Sequence, residues 1–220
     1  MKRLIILLST VAMISFLLLG ALQSKRGGYV ASKKVTTNNS ALVLSQPAMP
    51  LPTFSFKKAG KVAFTNQSLK GKWSLLFIGY TFCPDVCPTT LADLDRVYPS
   101  LKNDSDTTTQ VVFISVDPNR DKADLLADYV HYFNKDFIGV TSSQKQLWPF
   151  VTELGLIYSL VEEGETDEYY LVDHSASIVL INPAGELHAT FKSVVNDQGI
   201  NHVDMDLMVE DIKKIQSQYL

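Results

Sequence analysis

The sequence predicts an α/β fold, with a mixed central sheet flanked by helices and one N-terminal transmembrane helix. Three observations predict it. Two continuous apolar runs of strand length, Trp73–Tyr80 and Gln110–Val116, are each followed by a segment with helical spacing. A strand–turn–strand pattern and a last helix close the chain. Ahead of all of these, Leu4–Leu22 is uncharged and mostly apolar.

Taken in order, Leu4–Leu22 has 19 residues, and at about 1.5 Å per residue a helix of that length nearly matches a hydrocarbon core of roughly 30 Å. A cleaved signal peptide has a shorter apolar region and a small-x-small site, which Leu19-Gly20-Ala21-Leu22-Gln23-Ser24 matches poorly. No cysteine follows, which excludes a lipoprotein anchor. Residues 1–22 therefore read as an uncleaved membrane anchor. Basic residues flank both ends, so the positive-inside rule leaves its orientation open. Residues 23–46 are rich in Ser, Thr, Asn, Lys and Gly without apolar periodicity, and read as a flexible tether. The folded domain is expected over 47–220.

Within it, Phe54–Phe56 and Val62–Phe64 flank Lys57-Lys58-Ala59-Gly60 as a hairpin. Trp73–Tyr80 reads as a central strand. Thr89–Leu101 places Leu91, Leu94, Val97, Tyr98 and Leu101 on one helical stripe. Gln110–Val116 is the second buried strand, and Asp121–Phe133 a helix with Leu125, Leu126, Tyr129 and Phe133 on its apolar face. A short strand Ile138–Val140, a helix Gln144–Leu154, strands Ser175–Asn182 and Glu186–Phe191, and a closing helix His202–Gln218 complete the order. A strand that ends in a cysteine turn, ahead of a βα repeat and a terminal hairpin plus helix, is the thioredoxin layout.

Charge is distributed unevenly. Residues 1–40 carry six basic side chains and no acidic ones, whereas the remaining 180 hold 14 basic and 23 acidic. An acidic domain is a poor match for nucleic acid, whose phosphates need clustered Lys and Arg.

Chemistry concentrates in Gly79-Tyr80-Thr81-Phe82-Cys83-Pro84-Asp85-Val86-Cys87-Pro88, which holds the only two cysteines of the chain. Two sulfurs at a strand-to-helix turn can close a disulfide, attack one, or hold a soft metal. A purely structural pair is disfavoured, because so short a loop constrains the unfolded chain little. A dithiol oxidoreductase normally has two residues between its cysteines, and here there are three. It also faces them with a cis-proline, whereas Tyr170-Leu171-Val172-Asp173-His174-Ser175-Ala176 offers His174 instead. Two thiolates and an imidazole make a soft three-ligand set that suits copper, with zinc the alternative. The other histidines, His131, His188 and His202, read as surface or satisfied polar residues. Asp117, at the end of the second strand, can tune the site, order a loop or cap the next helix. Asp173 adjoins His174 but points to the opposite face of a strand. The acidic run Glu162–Glu168 reads as a solvated hairpin loop, with a partner-contacting flap near His174 as the alternative.

Cys83-Pro84-Asp85-Val86-Cys87-Pro88, Val116-Asp117-Pro118 and Val172-Asp173-His174 together resemble the Sco/SenC family of copper proteins, over a span from about Pro47 to the C-terminus. The resemblance implies a thioredoxin-like domain that binds copper, as Cu(I) or Cu(II), through Cys83, Cys87 and His174. It implies a membrane-anchored metallochaperone on the extracytoplasmic side, in a bacterial periplasm or at the cell surface. Its partner would be subunit II of cytochrome c oxidase, whose binuclear copper centre it helps to load. A copper donor and a thiol reductant are further implied partners. Two other readings fit the same residues. One is a thiol-disulfide oxidoreductase, with Cys83 and Cys87 as the redox pair, that reduces a cuproprotein's cysteines before metal arrives. The other is a copper or redox sensor.

Overall fold

The computed structural model describes residues 42–102, 108–161, 170–195 and 199–219. The expected anchor and most of the expected tether lie outside these residues. No helix among the described residues is long and apolar enough to cross a membrane.

Strand β4 (Trp73–Gly79) and strand β5 (Thr109–Ser115) are buried along their whole length and pair in parallel. Unbroken apolar runs behave this way when both faces of a sheet are covered. Between them runs α2 (Val86–Lys102), which buries Leu91, Leu94, Val97, Tyr98 and Leu101 as its stripe requires. Pro99 sits in its last turns, and Pro88 in its first turn, where a missing N–H costs little. Helix α3 (Ala123–Phe133) crosses from β5 to β6 (Ile138–Thr141), which extends the parallel run. This helix buries Leu126 and Val130, while Leu125, expected inside, is 44% exposed. Gly139 of β6 lets α3 approach closely, since a Cβ there would lie 2.8 Å from the Leu126 carbonyl oxygen.

Antiparallel strands complete the sheet on both sides. Strand β9 (Ile178–Ile181) pairs with β4, and β10 (Glu186–Phe191) with β9 through the turn at Asn182–Gly185. On the far side β2 (Ser55–Lys58) joins β6, and β3 (Ala63–Thr65) pairs with β2. A short helix α1 (Asn66–Leu69), not anticipated, follows β3 behind a Thr65–Ser68 capping box. Strand β1 (Leu42–Pro50) forms the outer edge against β10, so the expected boundary between residues 46 and 47 falls inside a paired strand. The order in this eight-stranded mixed sheet is β1-β10-β9-β4-β5-β6-β2-β3. Helix α4 (Gln144–Glu153) and helix α5 (Met205–Gln218) pack on it. This is a thioredoxin-like α/β domain.

Two ribbons stand apart from the main sheet. Strands β7 (Tyr158–Val161) and β8 (Leu171–His174) pair only with each other, as do β11 (Val194–Val195) and β12 (Asn201–His202). His202, expected to start the last helix, lies in β12. The helix begins later because the Asp204 carboxylate accepts from the Leu207 N–H and sets the N-cap.

Candidate metal centre

The cysteine loop leaves β4 at the carboxyl edge of the sheet. Its first residue beyond Tyr80 is held from below: the buried Asp121 carboxylate accepts from the Thr81 N–H at 2.9 Å, from the Thr81 hydroxyl, and from Ser115 Oγ at 2.6 Å. The Cys83 N–H returns to the Tyr80 carbonyl at 3.3 Å. Cys83 lies in the loop, 9% exposed, and Cys87 is fully buried in the first turn of α2. The two are thus not stacked on one helical face. They are instead joined by the Cys87 backbone N–H, which donates to Cys83 Sγ at 3.3 Å. A helix N-terminus with free N–H groups favours a thiolate at that point.

Room for Cys87 comes from Gly79. A Cβ at that position would lie 2.5 Å from Cys87 Sγ and 2.7 Å from Phe113 Cε2. Gly79→Ala is therefore expected to displace the sulfur and destabilise the fold by about 1–3 kcal/mol through overpacking. Urea unfolding together with metal titration checks this; unchanged stability and binding would contradict the close contact.

His174 ends β8 and reaches across to the sulfurs. Its Nε2 lies 3.3 Å from Cys87 Sγ and 3.9 Å from Cys83 Sγ. Its Nδ1 lies 3.2 Å from the Ser175 carbonyl, which can only accept, so the ring proton belongs on Nδ1 and Nε2 is left to face the sulfurs. Phe77 and Tyr80 meet the ring at 6.1 and 6.0 Å between centroids, with interplanar angles of 71° and 88°. Outside lies a cleft of about 340 Å³ lined by Tyr80, Cys83, Asp85, Val172, His174 and Asn201, among others.

The three donor atoms lie within 4.8 Å of one another, and among the described residues they are the only such cluster of His, Cys, Asp and Glu. Ligands that each stand about 2.0–2.3 Å from a shared ion can be at most about 4.6 Å apart. The arrangement therefore fits a metal with small adjustment. Two sulfurs and one imidazole favour a soft ion over magnesium or calcium, and a closed zinc site would want a fourth ligand.

The two thiols differ sharply. The hydrogen bond from the Cys87 side chain, helped by the Cys87 and Asp85 backbone, holds Cys83 down to about 4 against the opposing effect of burial. Burial pushes Cys87 well above its ordinary value, and its bond to Cys83 adds to this. Cys83 is then a thiolate across the neutral range while Cys87 keeps its proton. Alkylation of the metal-free domain by iodoacetamide is expected to mark Cys83 alone, at a rate nearly constant from pH 9 to pH 5 and falling below about pH 4. Peptide mapping checks it; a rate that rises tenfold per pH unit through pH 8 would show an ordinary thiol.

Of the remaining expected residues, Asp117 is buried but joins neither the donor group nor the cap of α3, whose N-cap is Lys122. It accepts from Arg120 Nε and from the Tyr170 hydroxyl at 2.6 Å, and so orders the loop after β5. His131, His188 and His202 lie outside the group. His188 instead packs edge-on against Trp73 and Tyr219, and burial lowers its pKa. Asp173 is exposed beside His174. The acidic run Glu162–Glu168 lies outside the described residues, though its flanks Val161 and Leu171 are paired. The sequence reading missed Asp121 as the anchor of the cysteine loop. Burial pushes its carboxyl upward against the pull of its Ser115 and Thr81 hydrogen bonds. The available signal was its position just past the carboxyl end of a parallel strand.

The SCO1/SenC family model matches residues 45–207. The chain belongs to the SCO1/SenC family. A Stutzerimonas stutzeri protein described as copper-binding is 36% identical over 140 residues, 64% of this chain and 68% of that one. The mitochondrial SCO1 homolog 1 of Arabidopsis thaliana is 35% identical over 155 residues, 70% of this chain but only 43% of its own length. The crystal structure of Arabidopsis thaliana ScoI with copper bound superposes with a TM-score of 0.66 at 32% identity, covering 76% of this chain and 98% of that one. The SCO1/SenC match spans β1 through the start of α5, so it includes all three donor residues.

Proposed function

We propose that this SCO1/SenC domain binds one copper ion through Cys83 Sγ, Cys87 Sγ and His174 Nε2. We further propose that it serves assembly of the binuclear copper centre of cytochrome c oxidase subunit II. The observation that carries this reading is the convergence of Nε2 on both sulfurs, 3.3 and 3.9 Å away. Copper supplies a soft, thiophilic acceptor for that donor set. The chain's own residues do the rest. Asp121 fixes the loop, Ser175 fixes the ring tautomer, and the burial of Cys87 keeps water from one side of the centre. The copper-bound relative of like fold supports the reading. Titration of the reduced domain with copper tests it: one equivalent should bind strongly, and His174→Ala should weaken that binding markedly.

The membrane anchor at residues 4–22 and the extracytoplasmic placement belong to the same proposal. Their support is the apolar, uncharged stretch and its poor cleavage site. Membrane fractionation with mass spectrometry of the mature N-terminus is expected to find residues 1–22 retained in the membrane fraction. A soluble chain that begins after residue 22 would refute the anchor.

A second reading, thiol reduction of the target's cysteines, is favoured by the contrast between a reactive Cys83 and a buried, protonated Cys87. That is the division of labour between an attacking and a resolving thiol. It predicts reductase activity that survives His174→Ala and is lost without either cysteine.

A further inference from the structure

His174 is borne on a ribbon whose backbone does not belong to the main sheet, since β8 pairs only with β7. The cysteines belong to the main body, at the end of β4 and the start of α2. Something other than sheet hydrogen bonding has to hold the imidazole at its distance from the sulfurs. At the His174 end the pairing of β7 with β8 continues one step further, where the Ser175 N–H donates to the Ile157 carbonyl at 2.9 Å and the Ile157 N–H donates to Ser175 Oγ at 3.0 Å, which closes the ribbon on itself. The other end begins beside Tyr170, four residues before His174, and there a single guanidinium gathers the segments.

Arg120 lies in the loop between β5 and α3, with a largely buried side chain. Its Nε donates to Asp117, itself buried. Its Nη1 donates to the Tyr170 carbonyl at 2.9 Å. Its Cζ stands 3.7 Å from the centre of the Tyr170 ring, 5.0 Å from that of Phe82 and 5.5 Å from that of Tyr80. The Tyr170 hydroxyl closes the arrangement by donating to the other Asp117 oxygen at 2.6 Å. Phe82 directly precedes Cys83, and Tyr80 meets the His174 ring edge-on. A planar cation with donors in a rigid fork can bond two acceptors and stack on aromatic faces at once.

We infer that Arg120 is a positioning residue of the metal centre: held by Asp117, it ties the outer end of the His174 ribbon to the cysteine loop. This rests on the copper reading for its metal-dependent consequence, but its structural consequence can be read without metal. Residues that orient a ligand from outside the coordination sphere typically change affinity by about 10–100-fold when removed.

The test compares wild type with Arg120→Met, which keeps most of the stem volume, and with Arg120→Lys, which keeps the charge but cannot bond both acceptors in the same plane. In the metal-free proteins, amide hydrogen exchange across β7 and β8 is expected to accelerate in both variants. The His174 ring resonances should shift, with exchange in β4 and α2 unchanged. On loading with copper, affinity should fall by about 10–100-fold. The nitrogen couplings in the Cu(II) spectrum should weaken while the sulfur-to-copper charge-transfer band persists. A merely stabilising Arg120 would lower the unfolding midpoint of all segments alike and leave the spectrum of the loaded protein unchanged; that result overturns the inference. So does an Arg120→Met protein with wild-type affinity and exchange. If Arg120→Met does not fold, Arg120→Lys decides by the same criteria. If wild type itself binds no copper, the copper reading fails, and exchange in β7 and β8 with the His174 resonances still decides the role of Arg120.

Discussion

Replacement of Cys83 and Cys87 together by serine is expected to abolish strong copper binding by the reduced domain. A neutral hydroxyl cannot replace a thiolate as a soft ligand, and both sulfurs face the same imidazole nitrogen. The loss should exceed the roughly 10–100-fold that follows removal of a supporting residue. The sulfur-to-copper charge-transfer band of the Cu(II) form should vanish with it. His174→Ala should have a smaller but clear effect, because it leaves the dithiol pair and removes the nitrogen. Equilibrium titration against a chromophoric chelator measures each variant. Undiminished affinity in the double serine protein would place the copper elsewhere and end the three-ligand reading.

Oxidation is expected to have a comparable effect without any mutation. The cysteines are unbonded, and their sulfurs lie within 4.8 Å of each other. Closing to a bond of about 2.05 Å is therefore a local movement. At neutral pH the Cys83 thiolate and the Cys87 thiol become a disulfide with loss of one proton and two electrons, which consumes both proposed sulfur ligands at once. A small disulfide such as oxidised glutathione would be attacked by the Cys83 thiolate, which breaks its S–S bond, expels one thiolate and leaves a mixed disulfide on Cys83; Cys87 would then attack Cys83 Sγ and expel the second thiol. Copper titrations of the oxidised and reduced domain should differ at least as sharply as those of the serine variant and wild type. Recovery on reduction separates this from damage. Equal affinity in both redox forms would exclude the cysteines as ligands.

What could be read from the sequence, and what could not, divides along the range of the interactions. The strands β4 and β5 and the helix α2 announce themselves through their own residues: unbroken apolar runs such as Leu75–Ile78, and a stripe from Leu91 to Leu101. Cys83, Cys87 and His174 could be named because each side chain carries unusual chemistry at a topologically expected place. Strand β1 could not, since half of it is solvent-facing and Pro47 and Pro50 interrupt it; it exists because β10 offers it a partner more than 130 positions away. The strands of the ribbon β7–β8 are not delimited in the sequence, although the acidic run between them reads as a hairpin loop; their pairing is specified across that run. Arg120 and Asp121 look like ordinary loop and helix-entry charges. Their roles arise only where Tyr170 and Thr81 arrive from distant segments.

The position of β1 also bears on how chains meet one another. An exposed sheet edge offers unpaired N–H and C=O groups to any strand that comes alongside. In this domain both margins are guarded: β3 is only three residues long, and β1 carries prolines at 47 and 50, which cannot donate to a neighbour. A soluble fragment begun at Pro47 would strip Leu42, Val43 and Leu44 from Phe191, Thr190 and Ala189 and leave that length of β10 open. Such a fragment would keep every proposed ligand and still be prone to strand exchange or self-association. A fragment begun before Leu42 retains the guard strand and is expected to stay monodisperse at concentrations where the shorter one aggregates.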